Sequence, residues 1–358
     1  MKIISGIQQI GIGVKNVEEA WKWYRQNFGI DIKIFDDATI AELMLPYTGN
    51  KPQERRAALA LNLQGGGGFE IWQYTKRTPQ APKFDIRIGD LGIYAAKIKS
   101  NNVAKTYENF KQKGLNLLGE IHNDKAGNPF FYLKDPFGNI FQIVHDTTIF
   151  RNEKKLTGGS TGAIIGVSNI EKALKVYSDI LGYNSVVFRE EGTFDDLADL
   201  HGGKNQRFKR ILLKNSNKLQ GSFSKLFGQS SIELIEVLDR KPKNIYKDRF
   251  WGDLGFIHLC YDINGMKELQ KECEDKGFPF TVDSSINPAS NESFDMGEAA
   301  GHFSYIEDPD GTLIEFVETH KLPIIKKIGW FLDLRKRDPK KPLPNRIINA
   351  LRFSRIKD

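Results

Sequence analysis

His258 and Glu315 are the residues of this 358-residue chain whose setting first suggests chemistry. Each closes a short motif that occurs twice, and each is replaced in the other copy. Gly252-Asp-Leu-Gly-Phe-Ile-His258 has its counterpart in Gly89-Asp-Leu-Gly-Ile-Tyr-Ala95. Asp308-Pro-Asp-Gly-Thr-Leu-Ile-Glu315 has its counterpart in Asp135-Pro-Phe-Gly-Asn-Ile-Phe-Gln142. An imidazole and a carboxylate can together hold a divalent cation or move protons. Taken singly, a strand histidine is more often a core residue and a strand glutamate a solvated face. Their joint appearance at matched repeat positions lifts them above that background.

The elements that must position these residues are legible in the pattern. Ile10-Gly-Ile-Gly-Val-Lys-Asn16 and Ile164-Ile-Gly-Val-Ser-Asn169 open two further copies of one unit. The four units begin near residues 6, 90, 160 and 253. Each starts with an alternating strand, such as 6–14, and continues into a helix. Residues 17, 20, 21, 24 and 28 are apolar at helical spacing, with Asn16 as N-cap and Gly29 as stop. The same reading predicts helices over 103–113, 170–181 and 266–276, each followed by glycine. Short strands complete a βαβββ unit. Repeats of this length must be settled before a fold is assigned. Here they predict an α+β protein of four βαβββ modules in two domains, 1–148 and 160–320. A polar linker, 149–159, joins them, and a basic tail covers 321–358.

Four βαβββ units with a closing Asp-Pro-x-Gly strand resemble the vicinal oxygen chelate superfamily. That family includes glyoxalase I, extradiol dioxygenases, methylmalonyl-CoA epimerase and bleomycin-resistance proteins. The resemblance covers roughly residues 5 to 320 and implies two glyoxalase-like domains. It also implies that each unit offers ligands from its first or last strand and that two units close one cup. The implied positions are Gln9 and Glu70 in the first unit and Ala95 and Gln142 in the second. They are Gly162 and Glu233 in the third unit and His258 and Glu315 in the fourth. Pairing within domains gives a poor first site and a three-ligand second site. Pairing across domains gathers Gln9, Glu70, His258 and Glu315 and leaves the other set without an imidazole. The cross-domain arrangement is favoured, because one complete site beside one decayed site is what fusion of duplicated halves leaves.

The resemblance then implies a divalent metal ion, one of Zn, Ni, Co, Mn or Fe, bound by oxygen and a single imidazole. Such an ion would act as a Lewis acid on a small molecule with neighbouring oxygens. Glu315 is the first choice of base, with Glu70 opposite, for a lyase or isomerase working through an enediolate-like intermediate. One alternative is an Fe(II) ring-cleaving or 2-oxo-acid dioxygenase; the empty position at Gly162 counts against it. Another is a binding protein of the bleomycin-resistance type. Gly13 and Tyr74 stand where glyoxalase I uses an arginine and an asparagine for its thiol cofactor, so that pocket is not matched. Trp72, Tyr74, Tyr94, Phe130, Phe131, Tyr132 and Phe303 suggest an apolar cup. His302 is a candidate neighbour of the ligands, while His122, His145, His201 and His320 are expected to face solvent.

Charge limits the partners. The segment 321–358 carries twelve Lys and Arg against three Asp, more than the whole net charge of +7. The body is therefore slightly acidic, and a nucleic-acid groove across it is not indicated. The tail reads either as a docking arm for an anionic membrane surface or as an arm packed on the body. Its short apolar stretches favour the packed arm. Two cysteines without metal spacing, no leader-like N-terminus and no membrane-length apolar run suggest a cytoplasmic protein. The oligomeric state is not legible.

Overall fold

The structure is a computed structural model that describes residues 1–215, 218–285, 294–295, 300–325 and 330–357. The first unit consists of β1 (Ile3–Gly13), α1 (Val17–Phe28), β2 (Ile32–Ala41), β3 (Gln53–Leu61) and β4 (Gly68–Tyr74). The second consists of β5 (Gly92–Ser100), α2 (Val103–Gln112), β6 (Asn116–Asn123), β7 (Pro129–Lys134) and β8 (Ile140–His145). The third contains β9 (Thr157–Gly166), α3 (Ile170–Tyr177), β10 (Ser185–Gly192), β11 (Phe208–Lys214), a one-turn α4 (Ser224–Phe227) and β12 (Ser231–Val237). The fourth contains β13 (Gly255–Asn264), α5 (Met266–Asp275), β14 (Val282–Asp283), β15 (Phe294–Asp295), β16 (Ala300–Glu307) and β17 (Leu313–Ile325). Then come β18 (Trp330–Asp333) and α6 (Asn345–Asn349).

The caps behave as their residue types dictate. Asn16 accepts from the backbone N–H groups of Glu18 and Glu19, and Gly29 ends α1 at φ 65°. Asn102 and Asn169 cap α2 and α3 through Lys105 and Lys172. Helix α3 is shorter than the pattern predicts, because its last residues pass into a turn before Gly182.

The two sheets pair units across the chain's halves. One runs β14-β16-β17-β13-β1-β4-β3-β2, joining the fourth unit to the first. The other runs β10-β11-β12-β9-β5-β8-β7-β6, joining the third to the second. Each seam is antiparallel, β1 on β13 and β5 on β9. Sequential units stay together by other means. Tyr24 on α1 donates to Asp135 at 2.7 Å, and Tyr177 on α3 donates to Asp308 at 2.8 Å. Those aspartates also cap their own turns: Asp135 accepts from the N–H of Phe137 and Asn139, and Asp308 from Asp310 and Thr312. The repeated Asp-Pro-x-Gly motif is thus a structural latch.

Strand alternation gives each sheet two distinct faces. Phe69 and Ile71 of β4, and Phe131 and Leu133 of β7, enter one apolar cluster that joins both sheets to helices α1, α2, α3 and α5. Trp72 and Tyr74 point the other way, into the cup of the first sheet. Phe130 and Tyr132, with Tyr94, line the cup of the second. The predicted aromatic set is therefore divided: Phe131 is core, and only Trp72, Tyr74 and Phe303 belong beside His258. The two sheets touch at glycines, where a Cβ on Gly159 would stand 2.1 Å from the carbonyl oxygen of Gly67.

The basic tail packs on the body. Strand β17 runs through residue 320 and pairs with β18. Leu334, Leu343 and Ile348 are buried against Ile32, Leu61, Leu63 and Phe223. Arg355 pairs with Asp31 at 3.2 Å, and the N–H of Ile356 donates to the Asp31 carbonyl. Residues 326–329 of the tail lie outside the described residues. Among the described residues, no helix is long and apolar enough to cross a membrane.

Candidate metal centre

Four strands of the first sheet bring the predicted residues to one point. Gln9 lies on β1, Glu70 on β4, His258 on β13 and Glu315 on β17. The register explains the meeting. Cys260 pairs with Gln9 on one side and with Glu315 on the other, while Glu70 pairs with Gly11. These pairings place the four side chains around the centre of the cup. His258 Nε2 lies 3.1 Å from Glu315 Oε2 and 3.4 Å from Glu70 Oε2. Gln9 Nε2 lies 3.3 Å from Glu315 Oε2. Ligand atoms of Glu70, His258 and Glu315 all fall within 4.8 Å of one another.

The electrostatics are those of a buried cluster. His258 is wholly buried and Glu315 is 7 % exposed. Burial, reinforced by the Glu315 charge and opposed by His258 and Arg55, pushes Glu70 up to about 7. Burial also raises Glu315, but the charge and hydrogen bond of His258 outweigh it and hold the group below the ordinary carboxylate value. For His258, burial disfavours the charged ring, yet Glu315 and then Glu70 overcome it and raise the imidazole. Two carboxylates of unlike character therefore flank one imidazole.

The residues fit a divalent cation. Among the described residues, Nδ1 of His258 and Oε1 of Gln9 are buried without a hydrogen-bond partner, and Nε2 of His258 faces two carboxylate oxygens at 3.1 and 3.4 Å. Buried polar atoms ordinarily find partners, so a cluster of orphans facing two carboxylates matches the donor set of a metal site. Gly11 supplies the space: a Cβ there would lie 2.5 Å from His258 Cε1. The sequence pattern gave no reason to single out Gly11.

The cup walls also include residues that sequence reasoning missed. Trp251 stacks on the His258 ring, with centroids 6.1 Å apart and an interplanar angle of 8°. Tyr305 meets the same ring edge-on at 5.7 Å and hydrogen-bonds Glu315. Trp251 sits on a loop pinned by Asp253, which accepts from Arg77, from Gln80 N–H and from Phe250 N–H. The Gly-Asp-Leu-Gly motif is thereby explained as a loop anchor. Its other copy does the same, with Asp90 accepting from Arg240 and from the N–H of Arg87 and Lys243. Loops leave little periodic signal, so Trp251 could not have been read from spacing.

His302 pairs with Asp283 at 2.6 Å. His145 and His201 are exposed as expected, whereas His122 and His320 are half-buried. His122 faces Asp199 at 3.5 Å.

The second sheet holds the other four matched positions, Ala95, Gln142, Gly162 and Glu233, and has no imidazole among them. Its carboxylate is occupied by cations. Lys97 Nζ donates to Glu233 at 2.9 Å, and Arg210 donates through Nε and Nη2 at 3.0 and 2.6 Å. Burial alone would raise Glu233, but Lys97 and Arg210 bring it down to about 2.

Residues 6–143 match a family model described as the Glyoxalase/Bleomycin resistance protein/Dioxygenase superfamily. Residues 163–294 match a second model with the same description. A search of curated proteins finds no match. Among solved structures, a protein of Bacillus subtilis subsp. subtilis str. 168, provisionally called a dioxygenase, aligns over 89 % of this chain and 86 % of its own. It shares 13 % identity at a TM-score of 0.57. Glyoxalase I of Zea mays aligns over 89 % of this chain and 92 % of its own, with 14 % identity and a TM-score of 0.50. At such identities the likeness concerns the fold.

Proposed function

Given that the chain belongs to the glyoxalase/bleomycin resistance protein/dioxygenase superfamily, we propose that it is a metal-dependent enzyme of the lyase or isomerase kind. Its substrate would be a small molecule with neighbouring oxygens and an apolar body. The observation that carries the reading is the meeting of Gln9, Glu70, His258 and Glu315, with unpartnered donor atoms, in one buried cup. These four residues would hold the ion. When bound, it would supply Lewis acidity toward two adjacent substrate oxygens.

The protein's own groups divide the remaining work. Glu315 accepts from Gln9 and from Tyr305 and is thereby fixed in place. Glu70 stands beside His258 with 12 % of its side chain open, more than Glu315 at 9 %. The more open carboxylate, the one not tied by Gln9 and Tyr305, is the better placed to move a proton at carbon, so Glu70 takes the role of base in place of Glu315, the first choice from sequence, and Glu315 that of anchor. Trp72, Trp251 and Tyr305 pack in one buried cluster beside the ligands, and the substrate body would lie against Trp251, the least buried of the three. A single imidazole favours this chemistry over the two-histidine, one-carboxylate arrangement of Fe(II) oxygenases.

The test is deuterium wash-in at the carbon beside the carbonyl of 2-hydroxyacetophenone in D2O. The metal-reconstituted chain should promote exchange, and Glu70→Gln should slow it about 100-fold. Oxygen uptake without exchange would move the reading to a dioxygenase. Saturable binding with neither would make the cup a binding site without turnover.

A further inference from the structure

The second half-barrel has lost the metal-type residues but has not filled in. A cavity of about 500 Å³ opens on its inner face, a volume within the usual range for small-molecule sites. Two substitutions of position define it. Lys97 pairs with Gln142 on β8 as Cys260 pairs with Glu315 on β17. Arg210 stands opposite Ile235, two residues after Glu233, as Ala57 stands opposite Trp72, two residues after Glu70. A lysine and an arginine thus enter the second cup from places that hold a thiol and a methyl group in the first.

Their charges are balanced within the network. Lys97 and Arg210 share Glu233, and Arg210 also takes Asp196 at 2.8 and 2.9 Å. Lys97, Arg210 and Glu233 are each at most 5 % exposed. Burying such charges requires partners, and here each has one. A divalent cation brought beside this carboxylate would meet two fixed positive groups.

Hydrogen-bonding capacity is nevertheless left over. An ammonium carries three N–H donors, and one of those on Lys97 serves Glu233. Gln142, 2 % exposed and lining the same cavity, gives its Nε2 hydrogen to Tyr132 at 3.0 Å, while its Oε1 has no partner among the described residues. A donor and an orphaned acceptor on directly paired residues are complemented by a hydroxyl, which accepts from one and donates to the other. A net charge on the ligand would be uncompensated beside the balanced network. Phe130 and Phe188 add apolar surface to the wall.

We infer that the second half-barrel holds a metal-free binding site for a neutral, hydroxyl-bearing small molecule, seated between the Lys97 ammonium and the Gln142 side-chain carbonyl. The site is independent of the proposed metal centre.

Saturation-transfer difference NMR on the full chain tests this with matched probes. Glycerol and D-glucose are the neutral set; glycerate, gluconate and glucosamine are their charged counterparts. Neutral probes should give saturable signals, and their charged counterparts should bind at least about tenfold more weakly. Gln142→Leu should weaken the neutral probes about tenfold, equivalent to about 1.4 kcal/mol. His258→Ala should leave them unchanged, which separates this site from the metal centre. No saturable signal from any neutral probe, stronger binding of the charged set, or equal binding by a folded Gln142→Leu would overturn the inference. If that variant does not fold, the preference of the unmodified chain for neutral over charged probes decides the matter.

Discussion

Gln9 Nε2 lies 3.3 Å from Glu315 Oε2, although 306 residues separate them in the chain. The contact exists because β1 and β17 both flank β13 in one sheet. A strand near the start of the first half and one near the end of the second therefore form a single cup. The same topology places Glu233, from the third unit, beside Lys97, from the second. One chain thus carries two cups of the same build and opposite chemistry.

Gly11 sets the room available to the imidazole. Gly11→Ala puts a methyl group into the His258 ring, and the ring must turn away. Displacement of a ligand or its support typically costs 10- to 100-fold in metal affinity. Titration of the metal-stripped variant with Zn2+ by calorimetry should show a loss of about that size, with the far-ultraviolet circular dichroism unchanged.

The Lys97–Glu233–Arg210 network gives an acid-sensitive contribution to stability. Glu233 sits near 2 in the folded chain against an ordinary value of 4.5. A depressed carboxylate contributes stability that is complete above its unfolded value and is lost as pH falls through the folded one. Urea midpoints should therefore decline between about pH 4.5 and pH 2. Glu233→Gln should lower stability by about 3 kcal/mol at neutral pH and remove that part of the slope. An unchanged slope in the variant would show that other carboxylates carry it.

The basic tail is expected to act as a structural clasp. Leu343 is fully buried in the cluster with Ile32, Leu61 and Phe223, so Leu343→Ala should cost about 3 kcal/mol by urea denaturation. Lys341→Ala, at an exposed position of the same segment, should change stability by less than about 0.5 kcal/mol. Equal midpoints for the two variants would mean that the arm is not docked in solution.

Much of this was legible because the signals were repeated. Asn caps, terminal glycines and the doubled Asp-Pro-x-Gly turn marked the units, and comparison of copies singled out His258 against Ala95 and Glu315 against Gln142. The pairing of units across the halves followed from asking which grouping completed a ligand set. What escaped came from two physical causes. Trp251 lies on a loop fixed by Asp253 and Arg77, a long-range clamp with no periodic trace. Lys97 and Arg210 drew no reading from sequence, since nothing local announces that each will find Glu233. The aromatic set was pooled when period-two alternation already separates Phe131 from Phe130 and Tyr132.

The first cup is expected to hold one cation per chain, between the first and fourth units. Elemental analysis after gentle purification, on the unmodified chain and on His258→Ala and Gln9→Ala, tests it most directly. The unmodified chain should carry about one equivalent of divalent metal, His258→Ala should retain none, and Gln9→Ala should bind it more weakly. A metal-free chain that also fails to take up Zn2+, Mn2+, Co2+, Ni2+ or Fe2+, or one whose metal content survives His258→Ala, would contradict it.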